Sequence, residues 1–444
     1  MSASVADITA RRLSGLVARA QAEGQVPSVV AGVIRDGGLA WSGGAGAVPG
    51  DAADTQYKIG SITKTLTAVL ILQLVDEGLL SVDTLAGEVL GPVGYGDRTI
   101  RQLLCHSGGL QAEPAGSWWE RTEGVAFEEL AAANDGSHTA YDKDLRFHYS
   151  NLGFGLLGEV VSRLRDQTWW EAISERILDP LGMTRTSYQA TGAHAEGWSV
   201  HPYAQTLIPE PLPDTAAMAP AGQLWSTVTD LGTYCGFLLA GHPDVLSAEM
   251  LGLAFTPQSG DEHSGLAYAH GLGFQIYAGG SGSLVGHTGS MPGFHSVCLV
   301  DRTRRTGVVG LINAMTGIGV PSFGASLLEE LEQWEPSSPP AWVPNDSVPA
   351  EFEDVLGVWH WGATPYVFSC ERGDLLVRRR TIEAWRFVAA EGRILGSRGY
   401  HGGEELHVVR RSDGTVSHLD VGTFILTRQP YEAGAPIPGG LPDV

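Results

Sequence analysis

The alternation of apolar and polar residues predicts that the first 334 positions form a mixed domain of helices and strands. Met1–Gly24 has the spacing of an amphipathic helix, and Val29–Ile34 and Leu39–Ser42 are predicted to be two strands. The residues between those strands, Arg35–Gly38, include an Asp-Gly pair, which favours a tight hairpin turn. A second helix is predicted over Ser61–Glu77, with apolar residues along one face.

Further strands are predicted near the end of this region. Apolar runs at Val285–His287, Ser296–Val300 and Gly307–Ile312 fit strands, and Phe323–Trp334 fits a closing helix. Strands at both ends with helices between them indicate an α/β (α+β) domain. We expect its first and last strands to be neighbours in one sheet that helices cover.

Proline marks a boundary after position 334. Five prolines fall within residues 335–350, a density that suits neither a helix nor a central strand, so a semi-rigid linker is expected there. The following residues predict a small up-and-down barrel over 351–428, from short β-branched runs separated by turns. The predicted domains are therefore 1–334, the linker 335–350, and a barrel with its tail at 351–444. The predicted barrel strands are Tyr366–Ser369, Leu375–Arg378, Ala384–Val388, Leu406–Val409 and Thr423–Leu426.

Composition and charge exclude several classes of function. Fifty acidic residues against 28 basic ones give a formal net charge of -22, and such a surface repels phosphate backbones and anionic lipid. We therefore expect no nucleic-acid partner and no membrane partner. The chain does not begin with the series of residues typical of an export signal, so a cytoplasmic location is expected. The four cysteines are widely spaced, which predicts reduced, mostly buried thiols with no metal site, and no cofactor is expected.

A Ser-x-x-Lys sequence at the start of the second predicted helix offers a nucleophile. Ser61 and Lys64 are three positions apart, so they share a helix face and the amine can reach the hydroxyl. A lysine deprived of water loses its proton more readily and can activate a serine. The alternative is an ordinary helix start with a solvated lysine. The chain has only three lysines, which makes one in this position more informative.

Two other short sequences carry groups that suit acyl chemistry. Tyr149, if held beside a cation, can act as a base or proton relay, and Asn151 can bind a substrate carbonyl. His287 and Thr288 precede Gly289 at a predicted strand end, where glycine lets a substrate backbone approach. Taken singly, each is also compatible with a structural role.

Taken in order, these three sequences resemble those of a known superfamily. They are similar to the Ser-x-x-Lys, Tyr-x-Asn and Lys/His-Thr-Gly elements of the serine β-lactamases and penicillin-binding proteins, especially the branch with class C β-lactamases, D-peptidases and esterases. The resemblance covers roughly residues 5–334 and implies an antiparallel sheet covered by helices. The C-terminal segment resembles the lipocalin-like barrel of some members. The supporting stretches are YKIG (57–60), LLCHSGGL (103–110), YSNLGFGLLG (149–158), LDPLGMTRT (178–186), PAGQLWSTVTDL (220–231) and GHTGSMPGFHS (286–296).

The resemblance implies a role for each matched residue. Ser61 would be acylated, Lys64 would activate it, and Tyr149 would relay protons and assist deacylation. The backbone N–H groups of Ser61 and Ser290 would form the oxyanion hole. His287 would stand where most penicillin-binding proteins carry lysine. The residues expected to contact substrate are Asn151, Thr288, Gly289, Trp118, Trp119, Gln223 and Arg428, with a packed loop as the alternative for the tryptophans and a rim position for the arginine.

The histidine at position 287 separates the candidate functions. Imidazole is mostly neutral at pH 7, whereas a permanent ammonium suits the carboxylate of a β-lactam or a peptide C-terminus, so a β-lactamase is disfavoured. The lack of an export signal disfavours a cell-wall carboxypeptidase. Two acyl-transfer functions remain, and both take a small peptide or peptidyl thioester with a D-configured acyl residue.

The first of these functions is a penicillin-binding-protein-type thioesterase. It would take a nonribosomal peptide from its peptidyl carrier protein and cyclise it, and such enzymes resemble this chain in having an HTG-type domain followed by a barrel. The second is a D-stereospecific peptidase or esterase that uses water. A non-catalytic acyl sensor is a contrasting third possibility, which the intact Ser61, Lys64 and Tyr149 disfavour.

Overall fold

The computed structural model describes residues 4–279, 282–337 and 341–431. Contacts divide the chain into two compact units, Met1–Ser337 and Ser338–Val444. Residues 338–340 of the predicted linker, 432–444 of the predicted tail and the first three residues of the predicted first helix lie outside the described residues.

The first unit combines helices with one large sheet. Its helices are α1 (Asp7–Gly24), α2 (Thr63–Asp76), α3 (Ala86–Leu90), α4 (Ile100–Leu104), α5 (Phe127–Ala133), α6 (Asn151–Arg165), α7 (Trp169–Ile173), α8 (Asp179–Leu181), α9 (Ala219–Gly222), α10 (Val228–Ala240), α11 (Ala248–Ala254) and α12 (Val320–Trp334). Its strands are β1 (Ser28–Arg35), β2 (Gly38–Gly46), β3 (Tyr57–Lys58), β4 (Trp198–Val200), β5 (Leu207–Pro209), β6 (Trp225–Ser226), β7 (Tyr268–His270), β8 (Gln275–Ala278), β9 (Ser283–Met291), β10 (Phe294–Asp301) and β11 (Thr306–Ile312).

The large sheet is antiparallel and has the order β2-β1-β11-β10-β9-β8-β7. Strand β1 pairs with β11 over its whole length, with Val29 opposite Ile312. The prediction that the first and last strands are neighbours is therefore confirmed. Side chains alternate along β1: Val29 packs in the apolar cluster of α1 and α12, and Val30 packs in the cluster of α10. Both faces are buried, which explains why β1 is almost continuously apolar.

Helix α2 differs from its prediction. The sequence predicts one apolar face, but every residue from Thr63 to Leu74 is buried. The helix lies inside the unit, against α6, α9 and β9, so it has no solvent side. Gly78 follows the helix with a φ of +73°, a left-handed conformation that glycine adopts readily at a helix end.

The second unit is a nearly closed antiparallel barrel. Its strands follow one another in the order β12 (Gly357–Trp361), β13 (Thr364–Glu371), β14 (Asp374–Arg379), β15 (Ile382–Ala390), β16 (Arg393–Gly399), β17 (Glu405–Arg410), β18 (Val416–Val421) and β19 (Phe424–Leu426). The ends meet at His360 and Thr427, whose backbones exchange hydrogen bonds of 2.7 and 2.9 Å. The predicted all-β barrel is confirmed, and its likeness to lipocalins stays a prediction.

Two further features of the fold are the state of its cysteines and the apolar character of its helices. All four cysteines are free, but Cys235 and Cys298, which are far apart in the sequence, bring their sulfurs within 3.4 Å of each other. Within the described residues, none of the helices combines the length and apolar composition that crossing a lipid bilayer requires.

Candidate active site

Ser61 lies in a short 3-10 turn, Gly60–Ile62, that joins β3 to α2. Gly60 has a φ of +51°, and a Cβ at that position would lie 2.6 Å from the backbone nitrogen of Ser290. Glycine is therefore required for this turn to pack against β9. The close approach brings together Ser61 and Ser290, the residues whose N–H groups were predicted to form the oxyanion hole.

Lys64 is completely buried, and its Nζ lies 2.9 Å from the Ser61 Oγ and 2.6 Å from the Ala221 carbonyl oxygen. Burial lowers the pKa of Lys64 to about 7, although the carboxylates of Glu113 and Glu120 act in the opposite direction. A large share of Lys64 is therefore unprotonated at neutral pH. In that form the amine can accept the serine proton.

The pKa of Tyr149 is governed more by burial than by the neighbouring cation. A neighbouring cation would lower the pKa of the phenol, but burial dominates here and raises it, while the hydrogen bond to Ser61 opposes that shift. Lys64 Nζ lies 5.2 Å from the centre of the tyrosine ring. Tyr149 is therefore a neutral phenol in the resting site. It can pass a proton to a leaving group, while Lys64 is the readier base.

His287 lies within β9, which continues to Met291 and does not end at the histidine as predicted. The side chain is 1% exposed, and its Nδ1 contacts the Thr288 carbonyl oxygen while its Nε2 has no partner among the described residues. Burial, His270 and Lys64 together hold the pKa of His287 well below its usual value. The imidazole is therefore neutral at pH 7.

Thr288 and Gly289 are held by their neighbours in the sheet. Both the N–H and the hydroxyl of Thr288 donate to Gln275 Oε1, at 2.8 and 3.0 Å. A Cβ on Gly289 would lie 1.9 Å from the Ile59 carbonyl oxygen. This glycine is therefore required for contact between β9 and Ile59, which lies between β3 and the turn of Ser61, a reason different from the predicted approach of substrate.

His106, which the sequence reasoning did not select as a site residue, holds the segment around Tyr149. Its Nδ1 accepts the Ser150 N–H at 3.0 Å, and its carbonyl oxygen accepts the His148 N–H at 2.8 Å. The rings of His106 and Tyr149 lie 4.2 Å apart. The only sequence signal was that His106 belongs to the LLCHSGGL stretch.

Asn151 also has a partner that the sequence reasoning missed. Its Nδ2 donates to Glu113 Oε1 at 2.7 Å, and the second oxygen of Glu113 accepts the Trp119 indole N–H at 2.7 Å. The structure therefore brings together Ser61, Lys64, Tyr149, His287, Asn151 and the overlooked Glu113, whose carboxylate acts on the pKa of Lys64.

The other four residues that were predicted to contact substrate lie in different environments. Trp119 is 8% exposed and packs in the core, whereas Trp118 is 60% exposed and lies 3.9 Å from the Arg121 guanidinium. Gln223 is fully buried, and its Oε1 accepts from Thr215. Arg428 lies in the second unit, where its guanidinium donates to backbone carbonyls. The roles of these four residues toward substrate stay predictions.

Known proteins resemble the chain over most of its length. The model of the Beta-lactamase family matches residues 13–333, and a domain of unknown function (DUF7586) matches residues 348–428. Beta-lactamase-like protein 2 of Dictyostelium discoideum is 26% identical over 56% of this chain. The chain spans about half of that relative, 49% of its length.

Solved structures show the same fold. SurE is 25% identical in sequence, and its structure matches 95% of this chain and 99% of its own with a TM-score of 0.61. A structure of SurE with D-Leu has also been solved. The D-stereospecific amidohydrolase from Streptomyces sp. is 24% identical, with a TM-score of 0.61 over 74% of this chain and 99% of that one. Since the family match covers well over half of the chain, the protein belongs to the beta-lactamase family of serine hydrolases.

Proposed function

We propose that this protein is a serine acyltransferase that releases a peptidyl thioester and joins its D-configured acyl residue to an amine of the same peptide. The observation that carries the proposal is the Lys64 amine, which is buried and 2.9 Å from the Ser61 hydroxyl. Burial brings the pKa of that amine to about 7, so it can remove the serine proton at neutral pH.

The reaction has two steps, acylation of Ser61 and its deacylation, and Ser61 has its hydroxyl proton again at the end. In the first, Lys64 takes the hydroxyl proton, Ser61 Oγ bonds to the acyl carbon, and the carbon–sulfur bond breaks. The thiol leaves with a proton relayed by Tyr149. In the second, the amine nitrogen bonds to the acyl carbon, the ester bond breaks, and Ser61 Oγ regains a proton from the amine. The N–H groups of Ser61 and Ser290 would stabilise both tetrahedral intermediates.

The state of His287 supports the choice of acyl donor. A neutral, buried imidazole with an unpaired Nε2 offers an acceptor for an N–H group and no permanent charge for a carboxylate. A peptide bond or thioester linker suits such a site better than a free carboxylate. The D-configuration is supported by the similar fold of SurE, whose structure has been solved with D-Leu.

The two-unit plan favours cyclisation over hydrolysis. The sequence shares an HTG-type domain followed by a barrel with penicillin-binding-protein-type thioesterases, and SurE aligns with 95% of the chain. The second candidate is a D-stereospecific hydrolase, because the Streptomyces amidohydrolase shares the fold of the first unit. Delivery of the peptide by a peptidyl carrier protein is part of the first candidate function, the thioesterase that cyclises its peptide.

One experiment separates the two functions. A D-terminated peptidyl thioester of about five to ten residues is incubated with the protein, and cyclic and linear products are compared by mass spectrometry. We expect mainly cyclic peptide, a much slower reaction of the L-terminated epimer, and no reaction with Ser61→Ala. Linear acid alone from several D-terminated peptides would favour the hydrolase, and acylation of another residue would contradict both.

A further inference from the structure

An exposed hairpin beside the active site has no part in the chemistry at Ser61. Its strands β4 and β5 pair in antiparallel fashion, and residues 201–206 connect them. Tyr203 in this connection is 93% exposed, and Leu207 and Ile208 in β5 are each 47% exposed. A cluster of large apolar side chains on one surface segment is typical of a binding surface.

Glu210 joins the hairpin to the loop that passes the active site. Its carboxylate is 8% exposed, and it accepts two hydrogen bonds from the Arg121 guanidinium, at 3.0 and 2.9 Å, and another from the Ser199 hydroxyl. Arg121 belongs to the same loop as Glu113, which accepts the amide N–H of Asn151 in the active site. Charge-assisted hydrogen bonds of this kind fix the position of the hairpin before a substrate binds.

The base of the hairpin also lies against the turn that follows the predicted oxyanion hole. Ser290 is close to the end of β9, and Gly293 lies in the turn from β9 to β10. A Cβ on Gly293 would lie 2.5 Å from the backbone of Gly197 and 2.6 Å from the nitrogen of Trp198, the first residue of β4. The hairpin is therefore joined to the active site on two sides, by the loop of Arg121 and by the end of β9.

The proposed substrate is longer than the site around Ser61. An extended peptide rises about 3.3 Å per residue, so a chain of about five to ten residues spans about 17–33 Å. Only its D-configured end is expected at Ser61, Asn151 and Thr288. The residues remote from the thioester therefore lie on the surface next to the site, where the hairpin presents its apolar side chains.

The surface suits an apolar peptide better than a second copy of the chain. Pro209 in β5 has no N–H, which weakens the pairing of this strand with a strand of another molecule. Two copies would each carry a formal net charge of -22, and like charges oppose association. Trp118, which is 60% exposed, adds an aromatic ring to the surface, 3.9 Å from the Arg121 guanidinium that pairs with Glu210.

We propose that the β4–β5 hairpin binds apolar side chains of the substrate peptide at positions remote from the reacting carbonyl. Tyr203, Leu207 and Ile208 contact these side chains, next to Trp118. The proposal rests on the proposed function, because it assigns the substrate class of the same site, namely peptides that are apolar away from their D-configured end. The hairpin residues then determine specificity and do not touch the reacting atoms.

Two thioesters test this surface on the full chain. One is N-acetyl-D-alanine ethyl thioester, and the other is a peptide ethyl thioester of about eight residues that ends in D-alanine and has leucine at its remote positions. The quantity measured is the kcat/KM for thiol release from the longer thioester divided by that from the shorter. We expect this ratio to fall about tenfold in the double variant Leu207→Ser/Ile208→Ser, because contacts of two aliphatic side chains are lost.

Leu253→Ser is the matched control for the double variant. Leu253 lies in α11 and is 54% exposed, so its exposure is similar but it is not part of the hairpin. The ratio in this variant should equal that of the wild type. Tyr203→Ser is a second test of the hairpin, and since that side chain is 93% exposed, its loss should leave folding intact. Melting temperatures of all variants check the fold.

A ratio that stays at its wild-type value in both hairpin variants would overturn the proposal. So would an equal loss with a peptide that has serine at the remote positions, because the hairpin would then not select apolar side chains. A change in sedimentation coefficient with no change in the ratio would assign the surface to contacts between copies of the chain. If neither thioester acylates Ser61 in the wild type, the proposed function itself is contradicted, a result that differs from acylation with an unchanged ratio.

Discussion

Lys64 makes the activity depend on pH in a definite direction. The amine must be unprotonated to take the proton of Ser61, and burial brings the pKa of Lys64 to about 7. We expect kcat/KM for acylation to fall about tenfold per pH unit below that value and to level off above it. The measurement is the rate of thiol release between pH 5 and 9. A flat profile through pH 7 would contradict the assignment of Lys64 as the base.

The same residue destabilises the folded protein. An unfolded chain protonates Lys64 up to its usual pKa of 10.5, whereas the folded chain releases the proton near 7. The unfolded state therefore binds more protons between these values, and stability rises with pH across that window. Lys64→Met should remove the penalty at the expense of the bond to Ala221. We expect a net gain on the order of 2 kcal/mol at pH 7 and complete loss of activity.

Urea unfolding at pH 7 and at pH 10 checks this prediction. The advantage of Lys64→Met should be larger at pH 7 and shrink toward pH 10, because the wild type itself gains stability as the pH rises. An advantage that is equal at both pH values would show that packing, and not desolvation of the ammonium, is responsible. Ser61→Ala serves as a control that loses activity without removing the buried amine.

Sequence reasoning identified the residues whose partners are close in the chain or whose motif is widespread. Ser61 and Lys64 were predictable because a helical spacing of three brings them together. Glu113 and Asn151 are 38 positions apart, and nothing in their spacing indicates contact. The direction of the pKa shift of Tyr149 could not be predicted, because it depends on burial, which only the fold determines.

At the scale of elements, strand β9 can lie close to the turn of Ser61 because Gly289 has no side chain. Any side chain at Gly289 would overlap the Ile59 carbonyl oxygen at 1.9 Å. We therefore expect Gly289→Ala to push β9 away from the nucleophile, to reduce acylation at least a hundredfold and to lower the melting temperature. Acyl-enzyme mass spectrometry and thermal unfolding measure the two effects.

Gly252→Ala is the matched control for that substitution. Gly252 lies in α11, and a Cβ there would meet nothing within 4 Å. Alanine at an open helical position should leave activity unchanged and stability unchanged or slightly raised. Normal acylation by Gly289→Ala would show that the contact with Ile59 relaxes without moving the site.

The elements that sequence patterns predicted are those with a strong alternation or a long apolar run. The strands β1, β10 and β11 are nearly all buried and were predicted within two residues at each end. In the barrel, β12 buries only Trp359, and β16 buries only Ile394 and Gly396, so their alternation was too weak to predict. These segments are strands because they pair with neighbouring strands, and that pairing is not visible in the local sequence.

At the scale of the whole molecule, each unit has a core of its own, and the exposed Arg428 lies over Trp359, a residue of the barrel's core. Its guanidinium lies 3.8 Å from the Trp359 ring and donates to the carbonyl oxygens of Asp354, Leu356 and Val358. We expect Arg428→Ala to destabilise the second unit by about 0.5–1.5 kcal/mol, because the hydrogen bonds to the carbonyls are lost and water replaces the guanidinium there. Intrinsic tryptophan fluorescence during urea unfolding follows the loss.

Arg372→Ala, a substitution in an exposed turn of the same unit, is the control and should have little effect on unfolding. If Arg428→Ala leaves unfolding unchanged but raises KM, the arginine acts on substrate, as the sequence analysis predicted.

The pairing of β1 with β11 determines when this protein can fold during its synthesis. Residues 28–35 leave the ribosome first, but the strand that must pair with them, 306–312, follows after some 270 further residues. Until it arrives, β1 has an open edge on the side of β11, and α12, which covers one face of the strand together with α1, follows later still. At about 5–20 residues per second, this exposure lasts on the order of tens of seconds. The nascent chain is therefore a substrate for chaperones that bind extended apolar segments, and a ribosome stalled before residue 312 should display a protease-sensitive amino-terminal half.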